Sequence, residues 1–289
     1  MVETYSTDQE RIYYIVEATK GTTPTTTPAM LGVPHESINP GFNPSNLLLR
    51  SGGNYDLFAI KKGTRVPSLK VAYIVPSAAP IDLLQYAKID LDKTLSTQIL
   101  YYKGAWASAT DILSLVYNYM RIGKASVSCE IDDVVKATLE MVGQNITTGT
   151  AKLSNATYTD YAGAVAFNET DVTIGGAAND RVVSWKFDVN NNPKQVPVIR
   201  STNGYLAKYI PFGNRQLSGE VRFEFESKTE MDNALADTEF DIKFGLGGTA
   251  YAQMDAAKWG NITSEKWLDD LIAVRAQFDA KGPLTIAAS

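Results

Sequence analysis

A chain of 289 residues, 44% hydrophobic and 20% charged, is long enough for one large domain or two smaller ones, and its composition excludes wholesale disorder, collagen-like structure and coiled coil. One cysteine and one histidine exclude an intrachain disulfide framework, a Cys/His zinc site and a multi-histidine metal centre. With 27 basic and 32 acidic residues the net charge is −5, which opposes the basic stripe of a conventional DNA-binding protein but is compatible with a surface past which DNA slides without adhering.

The opening residues, Met1 to Arg11, are polar and mixed in charge, and no apolar run follows a basic start, so no signal peptide is expected. No segment reaches the roughly 18 consecutive apolar residues of a membrane span, and synthesis in a reducing cytoplasm is the expectation. Arg11 to Ala18 is apolar and β-prone. Thr19 to Pro28 (TKGTTPTTTP) cannot build a helix and is expected to be an extended arm. Pro34, Pro40, Gly41, Pro44, Gly52 and Gly53 continue in the same manner, so residues 1–55 form a loop-rich N-terminal arm in this reading. Val66 to Val75 is expected to be a strand, Asp82 to Tyr86 one helical turn, and Lys93 to Tyr102 β-like.

The spacing predicts a helix over about 110–120. Thr110 can cap it, Ile112, Leu115, Val116 and Tyr119 fall on one face at helical spacing, and Gly123 follows as a stop signal. Beyond it the period changes to two. Apolar residues alternate with polar ones in Ala125–Ile131, Val135–Met141, Val183–Val189, Val221–Phe225, Phe240–Leu246 and Leu268–Phe278. Such alternation marks half-buried strands, and six in succession with little helix between them predict a mainly β protein, an antiparallel sandwich or barrel. Glu230 to Ala236 is the expected exception, one or two helical turns. Residues 144–178 are rich in Thr, Asn and Gly and are expected to be an inserted loop or hairpin within a single domain spanning 1–289.

No constellation for catalysis emerges, so no enzyme, catalytic residue, cofactor or metal site is expected. Gly123-Lys124 lacks the remaining positions of a phosphate-binding loop and follows the expected helix instead of preceding one. The pairs Asp132-Asp133 and Asp269-Asp270 are sequence neighbours that point to opposite faces of a strand. His35 stands alone in the arm, and Cys129 falls on the apolar face of its strand as a small core residue.

Several stretches in order resemble the major tail tube proteins of tailed phages and tailed archaeal viruses. They are the opening Val16-Glu17-Ala18-Thr19-Lys20-Gly21-Thr22-Thr23-Pro24, followed by Pro28-Ala29-Met30; the expected helix Ile112 to Tyr119 followed by the hairpin Ala125 to Gly143; the strand Val183 to Asn192, then a long loop to Gly213-Asn214-Arg215; the strand Leu217 to Glu226 before a helical turn; and the strands Phe240 to Leu246 and Ile272 to Phe278. The resemblance implies a structural virion protein of the viral tail, without chemistry. Six subunits would form a ring, rings would stack into the tail tube, and amphipathic strands would line a continuous inner barrel with the helix packed outside. Thr22, Thr23, Pro24, Thr26 and Pro28 would then contact neighbouring subunits or rings, and Glu140, Glu220, Glu224 and Glu226 would be candidates for an acidic lumen that repels phosphate and lets DNA pass during ejection. The implied partners are further copies of the chain, tape measure and terminator proteins, a sheath as a further candidate, and viral DNA in transient passage, with no membrane. Two alternatives are another virion β-protein (tail terminator, baseplate hub or capsid decoration) and a carbohydrate-binding β-sandwich module.

Overall fold

The computed structural model describes residues 5, 9–31, 35–50, 52, 55–78, 80–159, 163–224, 228–267 and 271–288. The strands of the first third are β1 (Glu10–Val16), β2 (Ala29–Met30), β3 (His35–Asn43), β4 (Leu47–Arg50), β5 (Leu57–Lys61), β6 (Val66–Ile74) and β7 (Leu95–Tyr102). The middle supplies β8 (Ile112–Glu130), β9 (Lys136–Val142), β10 (Asn145–Gly149), β11 (Val172–Ile174), β12 (Ala177–Ala178), β13 (Val182–Asn190), β14 (Val196–Pro197), β15 (Ala207–Tyr209) and β16 (Gln216–Glu224). The short helix α1 (Thr229–Leu235) precedes β17 (Phe240–Gly245), β18 (Ala250–Trp267), β19 (Leu271–Ala280) and β20 (Leu284–Ala288).

One antiparallel sheet runs in the order β12-β11-β17-β18-β19-β16-β13-β8-β7-β1-β2. The row β3-β6-β9 branches from β8, β10 pairs with the first half of β8, and β20 pairs with the first half of β18. The architecture is mainly antiparallel β, as the period-two pattern predicts. It does not close into a barrel: β2, β3 and β12 each have one strand partner among the described residues.

Two long strands fold this sheet onto itself. The first half of β8 pairs with β7 and β10, its second half with β9 and β13. At the junction Tyr119 has φ +55°, a left-handed conformation that costs a side-chain-bearing residue about 1–2 kcal/mol. In β18 the same device occurs at Ala256, φ +51°: residues up to Met254 pair with β17 and β20, Ala257 with both β17 and β19, and the residues beyond it with β19. Strands that switch partners at a bend make the corners of a sandwich. The faces so apposed bury one continuous apolar cluster, from Ile12, Tyr14 and Ile99 through Leu69, Val71, Val127 and Phe187 to Phe244, Met254 and Ile286.

The expected helix over 110–120 is instead the first half of β8. Ile112 packs into a small second cluster with Tyr13 and Tyr102, Tyr117 and Met120 pack into the main core, and Tyr119 packs with Ala207 and Ile210 in a third. Apolar residues therefore serve both faces of this strand, and the bend at Tyr119 shifts their phase, which together imitate helical spacing. Gly123 does not stop a helix. It lies inside β8, where an added Cβ would stand 3.0 Å from the Pro193 ring, and its carbonyl accepts the Asn191 N–H at 2.7 Å. The only described α-helix is α1, which overlaps the segment 230–236 where one or two turns are expected. Leu84–Ala87 forms a 3-10 turn that covers the core beside β8 and β20, overlapping the turn expected from Asp82.

Candidate assembly surfaces

Three surfaces of the fold could carry assembly. The first is the hairpin β4–β5, which forms its own two-stranded sheet and pairs with no other described strand. The sequences of its two strands, LLLR and LFAIK, have the composition of buried strands, yet Leu48 is 58% exposed, Ile60 60% and Phe58 75%. Leu47, Leu49 and Tyr55 are exposed as well. The root is fixed. The Arg65 N–H donates to the Tyr205 carbonyl at 2.8 Å, and the Lys62 and Arg65 cations lie 4.7 and 4.4 Å from the Tyr205 ring centroid. The legs cross so closely that a Cβ on Gly63 would stand 1.8 Å from the Ser45 carbonyl oxygen. A lone two-stranded hairpin is marginal in water, and this one exposes apolar side chains over most of its length. Two β-rich apolar runs around Gly-Gly are a hairpin signal present in the sequence, but the loop-rich reading of residues 1–55 passed over it.

The second surface is the outward face of the row β6-β9-β8-β13-β16-β19. Glu140, Glu220 and Glu224 all point to this face, because each alternates with inward residues such as Leu139, Val221 and Phe223. They are not isolated acids. Glu140 sits 3.3 Å from the Lys70 ammonium and 4.0 Å from that of Lys124; Glu220 sits 2.6 Å from the Arg275 guanidinium; Lys186 and Asp188 are 3.2 Å apart. The face is thus a mosaic of opposite charges. Glu226, Asp269 and Asp270 lie outside the described residues.

The third is the arm. Its base is Glu17, a buried carboxylate that accepts four hydrogen bonds: from the backbone N–H of Gly21 and Tyr119 at 2.6 and 2.8 Å, and from the hydroxyls of Thr94 and Ser96 at 2.7 and 2.8 Å. Thr23 Oγ1 accepts a hydrogen bond from the Asn118 amide at 2.5 Å and lies 3.1 Å from the Ser96 hydroxyl. Pro28 is buried against its own subunit and Pro24 half-buried, whereas Thr22 and Thr26 face solvent. This polar underside of β7 continues with buried Gln98, which donates to Ser114 and to the Ala151 carbonyl and accepts the Leu153 N–H, tying down part of the segment 144–178.

Chemistry-bearing residues are dispersed. Cys129 lies in the core wall, and burial pushes its thiol up to about 11. His35 is in β3 opposite Tyr73. Among the described residues no three His, Cys, Asp or Glu side chains cluster as a metal site requires. No helix in them is long and apolar enough to cross a membrane.

A search among curated proteins finds no match to the chain. A family model described as phage tail tube protein matches residues 7–280, which includes the bent strands, the hairpin and the arm. Across nearly its whole length, therefore, the chain belongs to the phage tail tube protein family, and it is a structural component of a virion tail.

Proposed function

We propose that this subunit forms closed rings, hexameric in the simplest case, that stack head to tail into the tail tube through which viral DNA passes. The observation that carries the reading is the β4–β5 hairpin: it is apolar, exposed and, among the described residues, unpaired with the rest of the sheet, and a second copy is proposed to cover it. Repetition of one such heterologous contact produces an open stack, which is what a tube requires. The solvent-facing Thr22 and Thr26 are proposed to meet a neighbouring subunit, while Thr23, Pro24 and Pro28 hold the arm on its own. The charged face of β6-β9-β8-β13-β16-β19, with Glu140, Glu220 and Glu224, is proposed to line the lumen. There the lysines and arginines beside carboxylates are engaged, so phosphates meet little free positive charge. This modifies the simpler idea of an acidic lining. Tape measure, terminator and sheath proteins are the proposed further partners, and assembly in the host cytoplasm the proposed setting.

Negative-stain microscopy of the purified protein across a concentration series tests the reading. Long hollow tubes with a regular axial repeat are expected; discrete rings that never stack, or monomers at every concentration, contradict it.

A further inference from the structure

The hairpin projects from one end of the strand row, and the register shows what occupies the other. Ser68 pairs with Val142 near the hairpin root, Ile74 with Lys136 at the far end, and Glu130 with Ser184 beside it. The nine residues of β6 separate the two ends by about 30 Å.

The hairpin end is basic. Between β3 and β6 stand Arg50, Lys61, Lys62 and Arg65 against one acid, Asp56. The loop packed on the root, residues 191–215, carries four lysines and arginines and no acid. The far end is acidic. The end of β8 and the turn after it hold Glu130, Asp132 and Asp133, and the segment running into β13 holds Glu169, Asp171 and Asp180; the cations among them are Lys136, paired with Asp133 at 2.8 Å, and Arg181, so acids predominate. Between these two segments opens a pocket of about 170 Å³. Ile131, Phe167 and Trp185 supply its apolar wall, and Glu130, Asp171 and Asp180 stand around it. Ile131 and Phe167 are among the large hydrophobic residues left exposed.

We infer that this pocket end receives the β4–β5 hairpin of a second copy. An exposed apolar strand pair flanked by cations meets an apolar hollow flanked by carboxylates, so hydrophobic cover and charge select the same orientation. The reversed orientations, basic end to basic end or acidic to acidic, are repulsive. The inference rests on the tube reading and specifies its axial contact, fixing the polarity of stacking.

Two charge reversals test it. Lys61→Glu with Lys62→Glu, or Glu130→Lys with Asp180→Lys, each raises the critical concentration for tube formation at least about tenfold, and the fourfold variant carrying both pairs returns it to within about threefold of wild type. A second measurement does not depend on the reversed proteins folding well. In a Cys129→Ser background, Ile60→Cys together with Ile131→Cys forms a disulfide ladder of dimers, trimers and longer chains on mild oxidation, and neither cysteine alone gives more than dimers. Failure of wild type to form tubes overturns the tube reading itself. Tubes that are indifferent to both reversals, or that give no ladder with the cysteine pair, overturn this docking site alone.

Discussion

Glu17 and Tyr119 are 102 residues apart in sequence, and the Glu17 carboxylate accepts the Tyr119 backbone N–H at 2.8 Å. Tyr119 is the residue at which the longest described strand turns from one half of the sandwich to the other, so this hydrogen bond fixes the arm and the bend with one buried side chain. Two of its four donors are backbone groups at positive φ, Gly21 and Tyr119, that have no ladder partner to fall back on.

Replacing Glu17 therefore affects stability far more than its surface neighbours would. Glu17→Ala leaves four donors unsatisfied at a buried position and is expected to cost about 4 kcal/mol or more by denaturant unfolding. Glu17→Gln, which keeps the shape but turns one acceptor into a donor, costs about 2 kcal/mol. A loss below about 1 kcal/mol for Glu17→Ala contradicts the role given to this carboxylate.

The bend in β18 predicts an inversion of ordinary β preferences. Ala256 sits in a strand but at φ +51°, with its N–H donated to the Asp241 carboxylate at 3.1 Å. Ala256→Val, favourable at a regular strand position, is expected to cost about 2 kcal/mol here, because a β-branched residue tolerates the left-handed region worst. Ala256→Gly is expected to be neutral or to stabilise by up to about 1 kcal/mol, the relief of strain outweighing the entropy added to the unfolded chain. Thermal unfolding of the two variants ranks them, and Val equal to Gly would refute the corner.

Asp82 gives a pH dependence of defined sign. Burial pushes its carboxyl up to about 6, and the Tyr14 hydroxyl donates to it beside the Tyr86 ring. The folded chain holds this proton more tightly than the unfolded chain, so stability from this group is complete below about pH 4 and is lost as pH rises towards 6. Asp82→Asn keeps an acceptor for Tyr14 and removes the charge. Its melting temperature is expected to exceed that of wild type above pH 6 and to converge with it below about pH 4; equal melting temperatures at pH 8 would contradict the assignment.

The legible parts of the fold are those with one face in the core and one in water. Val183, Trp185, Phe187 and Val189 alternate with polar residues because only one side of β13 is covered, and β9 and β6 read the same way. Legibility fails where both faces are covered or the phase slips. In β7 every residue from Leu95 to Leu100 is buried. In β8 the core positions pass from Tyr117 to Met120, and in β18 from Met254 to Ala257, each skipping a residue at the bend. In β18 the alternation of Ala250, Ala252 and Met254 with Tyr251, Gln253 and Asp255 is muted by the small alanines and breaks at Ala256 before resuming at Ala257 and Trp259. The assembly surfaces were partly legible. Alternation places Glu140, Glu220 and Glu224 on outward faces, but their lysine and arginine neighbours come from other strands through pairings that sequence does not reveal. The hairpin signal of two apolar runs around Gly52-Gly53 is present in the sequence, but its exposure is a property of the whole fold, not of its own residues.

The most direct test of the account is the assembly of a hairpin variant beside wild type. Leu48→Asp with Phe58→Asp changes two exposed side chains outside the core, so the protein is expected to keep its circular dichroism and its melting temperature as a soluble, unpolymerised subunit. Sedimentation and negative-stain microscopy of both proteins at matched concentration then decide. The account predicts tubes from wild type and none from the variant; tubes of normal length from the folded variant would contradict it.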